Sequence, residues 1–471
     1  MRRALLAALA LVVASCAAGT PTGTLPTPTT TSPSPSAVTL TASSIGWQTQ
    51  AYELTQFNTI LSHDPSTIVD VEFDTWVLEN EHLRVDLLPE FGGRIISLIS
   101  KDTGNEHLYR SPVGVPYQIG TGVFFFDWLM VYGGIFPTFP GPEHGKTWFA
   151  PWDFEVIEES PDSITVAMSF TDTEDYPLSP RQYDGYATGL ELTWLITLDS
   201  GRSALDTEVV ITNPGADEVR FEYWTNATLA PGSDPARPEA VAETEIIAPI
   251  DFVSIPSYWT AIAATEARTG VAGVHEFDQL RTFGGWDDLG IAYAWPDLRN
   301  GDAWGAINQV NGEGIIRIGD NSVTPGLKLW TWGYERSLRA DPPEAGPYVE
   351  LWGGLTREFF RTTTIGPGAE IRIPETWAIT RGLEGVSDAD RHHLVDAHLE
   401  AETARVTILS SDGTGEATVS LSDDTGELAS TTLEVSHLAV EIVLALDRQP
   451  TGPVVLTVST PEATSTFDVR G

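Results

Sequence analysis

Residues 346–354 read Gly-Pro-Tyr-Val-Glu-Leu-Trp-Gly-Gly, and this stretch says more about the fold and its chemistry than any other. Successive side chains of a strand point to opposite faces, so Tyr348, Glu350 and Trp352 share one face. A carboxyl group between two aromatic rings is unusual on a solvated face, and burial there would raise its pKa. The stretch predicts a strand whose glutamate faces a site. The alternative is a glutamate on a solvated face.

Most of the remaining chain is predicted to be strand. Residues 82–88, 163–168 and 206–211 alternate apolar and polar side chains with the period of two that is typical of half-buried strands. Turn-forming residues follow many such runs, as at 102–105 and 213–215. Strands that follow one another without long helical periods predict an all-β fold, an antiparallel sandwich or barrel rather than a parallel α/β sheet.

One helix is predicted near the C-terminus, over residues 386–404. Ser387 can cap its first amides, and the acidic residues that follow lie where the helix dipole favours negative charge. Residues 405–471 return to alternating strands and turns with few aromatic side chains. We therefore expect a large β domain at 41–385, then a linker helix, then a small C-terminal β-sandwich.

The N-terminus has the pattern of a secretory signal peptide. Two arginines precede an apolar run at 4–14, and small residues then lead to Cys16. The run is shorter than the roughly 20 apolar residues that span a bilayer. A cysteine at the cleavage point resembles a bacterial lipobox, which implies cleavage before Cys16 and lipid attachment to its sulfur; an ordinary secretory signal is the alternative. We expect a lipoprotein signal peptide at 1–16, a Pro/Thr/Ser-rich tether at 17–40, and a lipid anchor outside the cytoplasm.

The composition is strongly acidic, with 66 acidic against 26 basic residues and a formal net charge of −40. Such a surface repels polyanions, so we expect no nucleic-acid partner and membrane attachment through the N-terminal lipid only. Cys16 is the sole cysteine, so the mature domain has no disulfide available and must be stabilised by its core. A chain of 471 residues, 41% of them hydrophobic, is long enough for a large one.

Several segments are richer in Gly, Pro, Trp and His than ordinary strands. Residues 132–145 read YGGIFPTFPGPEHG, and residues 328–333 read KLWTWG. The full set comprises residues 89–95, 132–145, 221–227, 328–333 and 346–354.

Taken in order, these segments resemble the galactose mutarotase-like (aldose 1-epimerase-like) superfamily over residues 76–380, and in particular a secreted branch of unknown function. The resemblance implies a large antiparallel β-supersandwich with a carbohydrate groove across one sheet. It also implies acid–base chemistry, because mutarotases remove a proton from the anomeric hydroxyl and protonate the ring oxygen. Glu350 matches the family's base, and His144 is similar to an early histidine that binds the sugar.

One position departs from the family pattern. Relatives carry Thr-Asn-His where this chain has Thr225-Asn226-Ala227, and their histidine is the usual general acid. Ala227 cannot donate a proton. Either His275 or Asp287 substitutes for it, or the chain does not perform mutarotation.

Further side chains in these segments are candidates for substrate binding. Sugar C–H faces pack on aromatic rings, and amides, guanidinium groups and carboxylates bond sugar hydroxyls. A core role for each tryptophan, an ion pair for the arginine and simple solvation for the aspartate are the alternatives. The candidates are Arg94, Trp224, Asn226, Trp286, Asp287, Trp332 and Trp352.

Common cofactor and metal motifs are missing from the sequence. It contains no Gly-rich phosphate loop ending in Lys-Ser or Lys-Thr, no His-Glu-x-x-His zinc helix and no Gly-x-Ser-x-Gly elbow. We therefore expect no cofactor and assign no metal site, while calcium binding by acidic loops stays open.

Two hypotheses follow for the function. The first is a carbohydrate-active enzyme, either epimerase-like or a glycosidase or lyase on the same scaffold, with Glu350 as base. The second is a non-catalytic module that binds a mono- or oligosaccharide at the cell surface. Retention of Glu350 favours the first, and Ala227 favours the second.

Overall fold

The protein's structure, a computed structural model, describes most of the chain beyond residue 36. The predicted signal peptide, Cys16 and the tether up to residue 36 lie outside the described residues, and so does Asp287. Those described are 37–54, 60–117, 128–130, 133–141, 144–147, 150–173, 175, 187–256, 271–286, 290–296, 298, 301–339 and 346–469.

The first part of the described chain is built from strands. They are β1 (Thr39–Leu54), β2 (Ile60–Glu79), β3 (Leu83–Leu88), β4 (Arg94–Ser100), β5 (Glu106–Leu108), β6 (Val113–Tyr117), β7 (Trp128–Met130), β8 (Gly134–Thr138), β9 (Asp153–Glu159), β10 (Ser163–Thr171), β11 (Glu191–Asp199), β12 (Ala204–Thr212), β13 (Val219–Phe221), β14 (Trp224–Ser233), β15 (Thr244–Ile247), β16 (Phe252–Ser254), β17 (Val274–Glu276), β18 (Gly290–Trp295), β19 (Ala303–Asn308), β20 (Glu313–Gly319), β21 (Gly326–Thr331), β22 (Val349–Gly354), β23 (Thr363–Ile365) and β24 (Glu370–Arg381).

Helical structure is scarce among the described residues. It consists of α1 (Tyr334–Arg339) and the two short 3₁₀ turns Phe277–Gln279 and Phe283–Gly285. None of these segments has the length and apolar composition that a bilayer crossing requires. The expectation of an all-β fold is confirmed.

Apart from β13 and β23, which pair only with each other, the described strands before residue 382 form two large sheets that enclose the main core. The first has 14 strands in the order β17-β16-β18-β21-β22-β14-β5-β4-β3-β2-β1-β6-β7, with β8 paired to β14 and β4. The second has eight, in the order β15-β19-β20-β24-β12-β11-β10-β9. Ile95 and Leu351 of the first sheet belong to the same buried cluster as Trp194 and Trp377 of the second. The first strand, β1, begins at Thr39, two residues before the predicted start of the large β domain at residue 41.

The alternation of side chains gives the first sheet two different faces. Val349 and Leu351 of β22 pack into the main core between the sheets. Trp352 and Trp224 belong to a separate aromatic cluster, to which Tyr293 also contributes. We call the face that carries this second cluster the aromatic face. The glutamate between Val349 and Leu351 therefore lies on the aromatic face.

The predicted linker helix at 386–404 is wrong. That segment forms β25 (Asp388–Ala389) and β26 (His393–Leu399), and β27 (Thr403–Ser410) follows. Val395 and Ala397 are buried in one apolar cluster while Leu394 is buried in another, so the segment packs on both faces with a strand's period of two. The polar residues that suggested a helix start instead support a turn and the strand pairing: Asp390 Oδ1 accepts from the His392 and His393 N–H groups at 2.8 and 2.9 Å, and Ser387 Oγ accepts the Ala397 N–H at 3.0 Å.

The C-terminal sandwich consequently begins near residue 388 rather than at 405. Its sheets have the orders β25-β26-β27-β30 and β29-β28-β31-β32. Leu394 and Leu409 pack with Ile316 of the second large sheet, and Arg202 Nε donates to Asp412 at 2.9 Å across the same contact. The remaining strands are β28 (Gly415–Asp423), β29 (Gly426–Val435), β30 (Val440–Ala445), β31 (Val454–Ser459) and β32 (Thr464–Val469).

Candidate functional site

The pairing of neighbouring strands brings polar and aromatic side chains together on the aromatic face. On β22, Trp352 is directly opposite Asn226 of β14 and Lys328 of β21. Glu350 is directly opposite Trp330 of β21. Paired residues of antiparallel strands point to the same side, so all five line one patch.

Glu350 is at the centre of this patch, with only 3% of the residue exposed. Trp352 Nε1 donates a hydrogen bond to its Oε2 at 2.8 Å, and the Asn226 side chain bonds it from β14. Burial raises the pKa of the Glu350 carboxyl to about 7, while the charge of Lys328 and the two hydrogen bonds hold it down. A carboxyl group that titrates near neutral pH is suited to proton transfer.

Asn226 is held by its own strand. Thr228 Oγ1 donates to Asn226 Oδ1 at 2.9 Å, so the amide oxygen is occupied and the amide nitrogen is free to serve Glu350.

Lys328 is the residue that sequence reasoning missed. Its Nζ lies 4.0 Å from the centroid of the Trp352 ring and 4.3 Å from that of Phe359, and the residue is buried. Aromatic faces attract a cation, and Glu350 adds an opposite charge. The signal was available, because a lone lysine between Leu327 and Leu329 must point away from the core that those leucines enter.

His144 reaches the same patch from a loop. Its ring centroid is 5.4 Å from that of Trp352 and 6.4 Å from that of Phe136. Burial lowers the pKa of the His144 imidazole well below its usual value, and the charges of Lys328 and Arg94 lower it further. The imidazole is therefore neutral at pH 7. The indole of Trp352 lies between His144 and Glu350.

Arg94 is buried beneath the patch and is bonded to the backbone. Its Nε donates to the Phe91 carbonyl at 3.0 Å and its Nη1 to the Gly133 carbonyl at 3.1 Å, while Cζ lies 4.4 Å from the Phe136 ring centroid. Burial lowers the pKa of the guanidinium to about 9, so it remains charged at pH 7. It supplies positive potential to the site from below.

A glycine at position 134 lets the Phe136 strand approach the sheet. Gly134 has φ +85°, and a Cβ added there would lie 2.3 Å from the Ile95 carbonyl oxygen. The Gly-Gly pair in this segment therefore allows β8 to insert between β14 and β4 and to deliver Phe136 to the aromatic face.

Ala227 lies on the other side of the sheet, in the main core with Leu229. A histidine at that position would point away from Glu350. The residue of this motif that faces the patch is Asn226, so the departure from the family pattern at 227 removes nothing from the aromatic face.

Trp224 and Trp332 flank the patch in different ways. Trp224 is fully buried, its Nε1 donates to Glu222 at 2.9 Å, and its ring meets Phe359 at 4.9 Å. Trp332 is half-buried and 5.1 Å from Trp330. Trp224 therefore supports the site from within, and Trp332 extends it.

Two predicted site residues are not brought to Glu350. His275 is on β17 opposite Val253, a main-core residue, and three strands separate it from β22. Trp286 is in the main core, and its Nε1 donates to the Leu280 carbonyl at 2.9 Å. In the described residues, no cluster of three or more His, Cys, Asp or Glu side chains is arranged to hold a metal ion.

The chain matches the family described as Domain of unknown function (DUF5107) over residues 52–366, and it belongs to that family. Among solved structures it is similar to a TPR-domain containing protein from Parabacteroides distasonis, with 21% identity and a TM-score of 0.57; the match covers 74% of this chain and 56% of that one. This chain thus spans little more than half the length of that relative.

Galactose mutarotase-like proteins are also among the similar structures. A putative aldose 1-epimerase from Klebsiella pneumoniae is 14% identical with a TM-score of 0.48, covering 65% of this chain and 79% of that one. A galactose mutarotase-like protein from Clostridium acetobutylicum is 10% identical with a TM-score of 0.43, covering 66% and 96%. The superfamily that the sequence resembles is thus represented among the structures to which this chain is similar.

Proposed function

We propose that this chain is a carbohydrate-handling protein whose Glu350 acts as a base on a bound sugar. The observation that carries the proposal is the Glu350 carboxyl itself. It is buried among aromatic rings, hydrogen-bonded by neutral donors, and has a pKa of about 7. A group of this kind can accept a proton and return it at physiological pH, which an ordinary surface carboxylate does poorly.

The neighbouring cations complete the proposed chemistry. When Glu350 takes a proton from a sugar hydroxyl, negative charge develops on the sugar oxygens. Lys328 and Arg94 already supply positive potential on this side of the sheet, so they stabilise that charge without reorganising. Because His144 is neutral at pH 7, we assign the proton-donor role to Lys328 and a sugar hydrogen-bonding role to His144.

A non-catalytic sugar-binding module is the second candidate. The lowered pKa of His144 favours this second candidate, because a neutral imidazole is too weak an acid to protonate the ring oxygen as a mutarotase requires. In that case the Trp352 and Trp330 rings, with Asn226, would provide stacking and hydrogen bonding only.

Turnover of simple sugars separates these candidates. The full-length chain would be given a panel of pure aldose anomers, and anomer exchange would be followed by NMR beside a screen for glycan cleavage. We expect exchange or cleavage by wild type and at least a hundredfold loss in Glu350→Gln. The exposed Glu358→Gln is the matched control. Binding without turnover, weakened in Glu350→Gln, would select the second candidate; identical behaviour of wild type and Glu350→Gln would refute both.

The proposed location is outside the cytoplasm, anchored by lipid on Cys16. The order of charge, short apolar run, small residues and cysteine at the N-terminus supports it. Expression in a bacterial host with a radiolabelled fatty acid should label the wild-type chain and not Cys16→Ser. Equal labelling of both chains would overturn the assignment.

A further inference from the structure

A large cleft lies away from the Glu350 patch. Its volume is about 880 Å³, within the range of roughly 300–1,000 Å³ that is typical of small-molecule sites. None of its described lining residues belongs to the patch. Tyr109, which lines it, stacks on Tyr348 at 4.2 Å, and Tyr348 lies 5.9 Å from Trp330. The stacked tyrosine pair thus separates the cleft from the cross-strand neighbour of Glu350.

Two adjacent polar groups in this cleft lack a partner among the described residues. The Arg110 guanidinium is half-buried and makes no side-chain hydrogen bond or ion pair there. Ser111 is 1% exposed, and its Oγ has no hydrogen-bond partner. Buried polar groups are nearly always bonded, so a buried hydroxyl without a partner, in a cleft that an unpaired guanidinium also lines, indicates a missing acceptor.

The remaining lining is typical of sugar recognition. Trp47 Nε1 donates to the Ser111 carbonyl at 2.9 Å, which fixes the indole as a wall beside the hydroxyl. Gln48 donates to Asp70 at 2.9 Å, so an amide and a carboxylate are already oriented at the cleft's edge. Ring faces that pack on sugar C–H groups, together with oriented acceptors for hydroxyls, suit a saccharide.

We infer that this cleft is a second binding site, for a short oligosaccharide that carries a uronic acid, with Arg110 and Ser111 as the carboxylate's partners. A planar carboxylate matches the guanidinium fork. A phosphate concentrates up to two negative charges on one group, beside Asp70 and Glu239 of the same cleft, whereas a uronic acid presents a single charge on each sugar ring. The saccharide part of this assignment rests on the function proposed above, whereas the anion part rests on Arg110 and Ser111 alone.

Calorimetric titration of the full-length chain tests the assignment. The ligands are digalacturonate, the neutral disaccharide galactobiose, acetate and inorganic phosphate. We expect digalacturonate to bind most tightly, and Arg110→Gln to weaken it about tenfold or more. Ser111→Ala should weaken it less, and the exposed Arg220→Gln should leave it unchanged.

Glu350→Gln keeps the two proposals distinguishable, because it should bind digalacturonate as wild type does even if it shows no turnover. Failure of wild type to bind digalacturonate, or equal binding by Arg110→Gln, would overturn the cleft assignment. Acetate or phosphate binding as tightly as digalacturonate would overturn its saccharide part.

Discussion

Two buried glutamates in adjacent parts of the molecule have very different surroundings. Glu375 of β24 is between the two large sheets, and its carboxylate accepts from Arg317 at 2.8 and 2.9 Å. Glu350 is on the far side of the first sheet, on the aromatic face. Glu375 lies close to the strand that carries Glu350, since a Cβ added at Gly353 of β22 would lie 3.9 Å from Glu375 Oε1.

The two glutamates differ in how fully the charged groups around them are paired and hydrogen-bonded. Arg317 is bonded on every side: besides Glu375, it donates to Asn321 Oδ1 at 2.8 Å and to Thr324 Oγ1 at 2.7 Å. Glu350 instead accepts hydrogen bonds from two neutral donors beside the charge of Lys328, and burial still raises its pKa to about 7. A saturated ion pair serves the fold, whereas a carboxyl group poised near neutrality is available for chemistry.

The largest contrast is expected in stability. Glu375→Gln should lower the free energy of unfolding by about 3–5 kcal/mol, because it leaves the buried charge of Arg317 without its counter-ion. Glu350→Gln should destabilise the fold much less at pH 8, because the loss of the counter-charge of Lys328 is offset by the removal of a carboxylate that burial disfavours. Urea unfolding of both variants measures this. A loss of comparable size in Glu350→Gln would mean that Glu350 is structural as well.

The pH dependence of stability sharpens the same contrast. An unfolded carboxyl ionises near 4.5, whereas Glu350 in the fold keeps its proton to about 7. Between these values the folded state binds more protons, so rising pH favours unfolding, by about 1.4 kcal/mol for each unit of pKa difference. Wild type should therefore lose stability relative to Glu350→Gln as pH rises from 4.5 to 7. If urea unfolding shows a difference in unfolding free energy between the two proteins that does not change with pH, the raised pKa is contradicted.

Lys328→Met should move the pH range in which ionisation of Glu350 lowers the stability to higher pH. The lysine's charge holds the pKa of Glu350 down, so its loss should raise that pKa by about one unit, or about 1.4 kcal/mol. Urea unfolding across the pH range gives the difference in unfolding free energy between Lys328→Met and the double variant Lys328→Met/Glu350→Gln. The pH at the midpoint of the change in that difference reports the pKa of Glu350. The exposed Lys101→Met is the control, and an unmoved midpoint in Lys328→Met would place the lysine outside the electrostatic reach of Glu350.

Trp352→Phe should have the smallest effect. It deletes the Nε1 donor to Glu350 but keeps a ring beneath Lys328, so the pKa of Glu350 should rise by less than in Lys328→Met. The same midpoint measurement shows which of the two variants shifts the pKa of Glu350 more. A larger shift than that of Lys328→Met would show that the indole hydrogen bond, rather than the lysine's charge, dominates the carboxyl.

Much of the fold was predictable because strand periodicity is a local signal. The alternation in 346–354 indicated that Tyr348, Glu350 and Trp352 share a face. The structure places Glu350 and Trp352 together, whereas Tyr348 belongs to the main-core cluster and stacks on Tyr109. The same reasoning failed at 386–404, where Ser387 and the aspartates resembled a helix start. Burial on both faces of that segment overrode these local signals.

The composition of the site was less predictable. Lys328 was overlooked because a single lysine in a strand is usually solvated, and only its pairing with Trp352 shows that it is enclosed. Trp286 and His275 were plausible from their neighbours in sequence, yet one is core and the other is on a distant strand.

The sequence by itself determined the strands, the class of fold and the face on which Glu350 lies, because these depend on the order of apolar and polar residues along the chain. The tertiary structure decided which side chains surround Glu350 and how far its pKa moves. It also decided that Arg110 and Ser111 meet Trp47 in a cleft. Such outcomes depend on the pairing of strands remote in sequence and on burial, which no local pattern encodes.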